Sequence, residues 1–184
     1  MAVYRSNVSL VQYLYSCRPE SISEVNDSSS SPLLIAASLV PSYNLVKAVY
    51  DLDPSAINIR TNTGVTPLLG FLYATFTFVN FLDPISDGGK ILRFLLKKGP
   101  DAVRLEDNSG NTPYSLCKAF THRDWVRRLL LREAPDLDPM ELKRLNYEER
   151  RMAMFLFFLA VRYDGKQTLF GKIRKASHNH NLMH

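Results

Sequence analysis

Cys117 and His122 lie five residues apart and form the one pairing in this chain whose residue types could activate a nucleophile, an imidazole taking the proton of a thiol. Cys117 also falls at a small-residue packing position of a short helix, where a thiol acts as a compact apolar group, and packing is its expected role. His178, His180 and His184 offer imidazole nitrogens to a transition metal but no fourth ligand, so no metal site is expected. The carboxylates are scattered singly, which leaves no acid and base pair for proton transfer. Neither Gly-x-Ser-x-Gly nor a Gly-rich phosphate loop occurs. The expectation is a protein that is not an enzyme and needs no cofactor.

Charge points to a different kind of work. Lys90, Arg93, Lys97 and Lys98 share one predicted helix, and Arg123, Arg127, Arg128 and Arg132 lie on or beside the next helix of the same kind. Stacked side by side, they would form a basic stripe suited to an acidic protein segment or, second, to nucleic-acid phosphates; the simpler alternative is a solvated face. The net charge of +5 arises mostly in residues 162–184, where five Lys and Arg meet one acid. The N-terminal residues lack the apolar core of a signal peptide, and residues 68–82 and 152–161 are too short to span a bilayer. Cys17 and Cys117 stand far apart without metal-ligand neighbours, as reduced thiols do. Together these predict an intracellular protein, cytoplasmic or nuclear, with no membrane contact.

The elements that must position these residues repeat. Pro19, Pro54, Pro100 and Pro135 each follow an apolar helical run, and the first three are followed 13 residues later by Ser31-Pro32, Thr66-Pro67 and Thr112-Pro113. Successive markers are 35, 46 and 35 residues apart, so the middle repeat carries an insertion of 11. Nine residues before each marker stand Leu10, Leu45, Ile91 and Val126, and five before it Leu14, Val49, Leu95 and Leu130. That spacing lays an apolar stripe on one face of a short helix. Thr61-Asn62-Thr63-Gly64 and Asp107-Asn108-Ser109-Gly110 have turn chemistry, and Thr66 and Thr112 can cap helices that open on Pro67 and Pro113. Ala36, Ala37 and Cys117 allow close helix packing.

At these residues the chain resembles the ankyrin repeat, whose unit of about 33 residues carries Thr-Pro-Leu-His-x-Ala after a turn. Asp107, Gly110, Asn111, Thr112 and Pro113 match best, whereas Leu34, Leu69 and Ser115 replace the His, and Phe71 replaces a small residue. The resemblance covers roughly residues 8–135 and implies an all-α, ankyrin-type helical repeat solenoid with short β-turn links. Expected boundaries are a half repeat at 8–25, repeats at about 26–60, 61–106 and 107–138, and a C-terminal capping helix at 139–161. These form a single domain over 1–161, followed by a flexible basic tail at 162–184. The insertion near 72–89 joins an aromatic run with Tyr73, Phe76, Phe78 and Phe81 to a loop at 83–89. In the capping helix, Leu142, Leu145, Met152, Leu156 and Leu159 fall near one face, the face expected to be buried.

The resemblance implies a monomeric protein-protein interaction scaffold or adaptor whose protein partner the sequence does not identify. The alternative is a nucleic-acid-associated or regulatory protein using the basic stripe and tail. Arg60, Asn62, Val65, Arg104, Glu106 and Asn108, at or near the turn tips, are the expected partner-binding residues, because substitution of exposed side chains there should cost little stability.

Overall fold

The computed structural model describes residues 7–39, 42–77, 83–119 and 124–163, and every regular element among them is helical. The helices are α1 (Val8–Cys17), α2 (Pro32–Leu39), α3 (Tyr43–Leu52), α4 (Pro67–Thr77), α5 (Asp87–Lys98), α6 (Pro113–Ala119), α7 (Asp124–Glu133) and α8 (Pro139–Tyr163). The chain divides after Pro139 into two compact units. None of the described helices is long and apolar enough to cross a membrane.

In the first unit, local chemistry repeats at the expected phase. The hydroxyl oxygens of Ser31, Thr66 and Thr112 accept from the amides of Leu34 (3.2 Å), Leu69 (3.2 Å) and Ser115 (3.0 Å), which caps α2, α4 and α6. Ser115 returns the contact by accepting from the Thr112 amide at 2.9 Å. Three marker prolines open short 3-10 turns, Pro19–Ile22, Pro54–Asn58 and Pro100–Arg104, where a missing N–H is tolerated. The turn before each first helix has one left-handed residue at the same repeat position: Ser29 (φ 57°), Gly64 (φ 81°) and Gly110 (φ 77°). Glycine suits that geometry, and the first repeat holds it with serine.

The predicted stripes on the second helices are the core. Leu45 and Val49 on α3, Ile91 and Leu95 on α5, and Val126 and Leu130 on α7 are all buried to within 1%. Like packs on like: α2 lies against α4 and α4 against α6, while α1, α3, α5 and α7 pack in succession. The first helix departs from the pattern. Leu14 is exposed, and Val11 with the half-buried Tyr15 enters the core instead, since α1 packs on α3 without a further helix on its other side among the described residues.

Two boundaries differ from expectation. Residues 87–89, expected in a loop, are the first turn of α5, because the Ser86 hydroxyl caps it at the Gly89 amide (3.2 Å) and Asp87 pairs with Lys90 at 3.0 Å. Gly89 is required there, as a Cβ would lie 2.3 Å from the Asp83 carbonyl oxygen. The apolar residues of α8 are the second correction. Leu145 is buried and Leu142 half-buried as expected, but Met152, Leu156 and Leu159 are exposed, as is every residue over 147–160. At 25 residues α8 is twice the length of any helix before it.

Candidate functional site

The turn tips make a ladder. Asp27, Asn62 and Asn108 occupy one repeat position, and the amide Nδ2 of Asn62 donates to the Asp27 carbonyl (3.2 Å) while that of Asn108 donates to the Asn62 carbonyl (2.9 Å). Main-chain amides reinforce the rungs: Asn62 N–H donates to Ser28 at 3.2 Å and Asn108 N–H to Thr63 at 2.9 Å. Ser29 donates to Asn62 Oδ1 at 2.5 Å. Arg60 bridges forward as well, donating to its own turn at the Gly64 carbonyl (3.2 Å) and to the carbonyl of Glu106, its equivalent in the next repeat. Arg104 clasps Asp136 through both oxygens, at 2.7 and 2.5 Å, and this guanidinium holds the Asp136 carboxyl down at about 2.

Thus four of the six expected partner-binding residues have a structural task. Arg60, Asn62, Arg104 and Asn108 each donate a hydrogen bond to a neighbouring turn or to the segment that follows α7. Val65 is half-buried and Glu106 is exposed.

Beneath the tips sits a polar contact that links the second and third repeats. Tyr73 donates its hydroxyl to Asp107 Oδ2 (2.5 Å), and Asn111 Nδ2 donates to the Tyr73 oxygen at 3.0 Å. Burial would raise the Asp107 carboxyl, but the Tyr73 hydroxyl and the amides of Asn111 and Ser109 outweigh it and lower it. Burial and the same hydrogen bond push the Tyr73 hydroxyl up. Tyr73 therefore ties two repeats together; the side chains of Phe76, Phe78 and Phe81 lie outside the described residues.

The surface with unspent binding chemistry is on α3 and α5. A groove of about 440 Å³ is lined by Tyr43, Lys90, Arg93, Phe94, Lys97 and Lys98. Its floor is aromatic, made by Tyr43 and Phe94, whose rings meet edge to face at 5.9 Å, and Phe94 packs in turn edge to face on Tyr50 at 5.2 Å. Its rim is cationic, because Lys90, Arg93 and Lys97 follow one another at helical spacing and all are exposed. Lys90 pairs with Asp87, Arg93 donates to the Pro84 carbonyl at 2.5 Å, and Lys98 stands 5.1 Å over the Tyr50 ring. Lys97 and Lys98 have no carboxylate partner among the described residues. On α7 the Arg127 side chain is 13% exposed and pairs with Asp124, Arg128 is half-buried and Arg132 is exposed. Arg123 lies outside the described residues.

Cys117 is fully buried, while His122 and the three C-terminal histidines lie outside the described residues. Among the described residues no group of three or more His, Cys, Asp or Glu could hold a metal ion. Compared with known proteins, the chain matches no family and no curated protein sequence.

The sequence pointed to the α5 cations but not to the aromatic floor between them. Tyr43 and Tyr50 are seven residues apart on α3, two turns along one helix face, and that was the available signal.

Proposed function

We propose that this chain is an ankyrin-type repeat scaffold that binds an acidic segment of another protein and performs no chemistry of its own. The observation that carries the reading is the groove between α3 and α5, with its aromatic floor and its excess of exposed cations. An aromatic floor takes an apolar anchor, and the cations around it select carboxylates beside that anchor. The repeated caps, left-handed turns and like-on-like packing support the repeat assignment, since each helix pair buries its stripe only against its neighbours. The ladder leaves the tips committed to one another, so the groove, rather than the tips, is the proposed contact.

A fluorescent peptide rich in Asp and Glu with a single Phe or Leu tests this directly. Binding should weaken about tenfold or more when Arg93→Glu and Lys97→Glu are combined, with the thermal melt unchanged because both side chains are exposed. Failure of every such peptide to bind, or an equal affinity in the double variant, would discard the reading. If a single-stranded oligonucleotide binds instead, with affinity falling steeply as salt rises, the nucleic-acid alternative takes its place.

A further inference from the structure

We propose that residues 152–161 of α8 insert into an anionic lipid bilayer just beneath its headgroups, lying along the surface with acyl chains around them. Met152, Met154, Phe155, Leu156, Phe157 and Phe158 are 57–62% exposed, and at about 100° per residue they point in every direction around the helix. A helix that faces water on one side has a polar face. This segment has none, so its stable surroundings are apolar on all sides.

Length and flanks identify the cover. Ten residues at about 1.5 Å each reach about 15 Å, half the hydrocarbon thickness, so the segment can enter a bilayer but not cross it. Tyr147, Arg150 and Arg151 precede it, and Arg162 and Tyr163 follow it. Tyrosine and arginine are residue types that settle at headgroup level, and with both ends held at one depth the axis lies along the surface. Arg150 and Arg151 are exposed without a carboxylate partner among the described residues, and residues 162–184 add five Lys and Arg against one acid. That balance favours negatively charged headgroups. A second copy would cover one stripe of each helix and leave the opposite side wet, whereas acyl chains meet the segment all round. The expectation of no membrane contact rested on apolar runs too short to span a bilayer, and none of the described helices can span one; a helix lying along the surface does not need to.

Vesicle flotation of the full chain is the test, with vesicles of phosphatidylcholine alone and of phosphatidylcholine with phosphatidylserine. The protein should float with the anionic vesicles, less with the neutral ones, and less again as salt is raised. Phe155→Ser combined with Phe158→Ser should reduce the floating fraction about tenfold or more, because each exposed ring loses its transfer into the acyl region. Both positions are exposed, so the melting temperature should stay unchanged. No flotation with either vesicle overturns the proposal. So does an oligomer by light scattering that the double variant dissolves without any flotation, which would assign the segment to copies of this chain.

Discussion

Leu95 and Leu156 are the same residue in two helices, yet one is 1% exposed and the other 57%. In α5 the apolar residues Ile91, Leu92, Leu95 and Leu96 keep to one face, and Lys90, Arg93, Lys97 and Lys98 keep to the other. In α8 the ten residues from 152 to 161 are apolar without interruption, and no face is left for water. The contrast separates two properties that hydrophobic content alone confuses. Periodicity tells a neighbouring helix where to pack; an unbroken apolar run names no direction and calls for a surrounding medium.

The largest effect should come from truncating both leucines. Leu95→Ala should destabilise by about 2–5 kcal/mol in denaturant unfolding, the range for a cavity in a packed core. Leu156→Ala should stay within about 0.5 kcal/mol, as exposed positions do. Equal losses at the two sites would break the comparison. Next in size is a pair of glycines within the repeats. Gly64→Ala should cost about 2 kcal/mol or more, because its left-handed backbone resists a side chain and the added Cβ would lie 2.7 Å from Asn108 Oδ1. Gly110→Ala has the same backbone penalty and open space around it, so it should cost only about 1 kcal/mol. An equal cost would show that the ladder does not hold the Gly64 turn.

The smallest effect is in acid. Arg104 depresses the Asp136 carboxyl in the folded chain, so the pair stabilises above the ordinary carboxyl value of 3.8, and that contribution is lost as pH falls towards about 2. Both groups are well exposed and screened, which keeps the effect small. Arg104→Ala should lower the neutral plateau of a stability profile slightly and flatten its acid limb, so that the two profiles converge as pH falls towards about 2, and a steeper limb would contradict the assignment.

Much of the repeat was legible because its signals are local. Thr66-Pro67 and Thr112-Pro113 cap helices by contacts three residues away, and Gly64 and Gly110 turn the chain through their own backbone freedom. The stripes at Leu45, Ile91 and Val126 were legible for the same reason, since one helix's period decides its face. The ladder was missed: Asn62 and Asn108 read as turn formers, and their shared position with Asp27, eight residues after a marker proline, drew no attention. Tyr73 meets Asp107 across 34 residues, a contact no local spacing records. Gly88 and Gly89 resembled loop residues because the close Asp83 carbonyl that demands a glycine is visible only in three dimensions. On α8 a helical period could be drawn through Leu156 and Leu159 because every face was apolar, so any period would have fitted.

The rungs between the turns join positions 35 residues apart in one case and 46 in the next, with the same amide-to-carbonyl bond. Distance along the chain is thereby released from distance in space on the side of each repeat away from the tips. What the rungs hold constant is the register of the turns, whatever number of residues separates them.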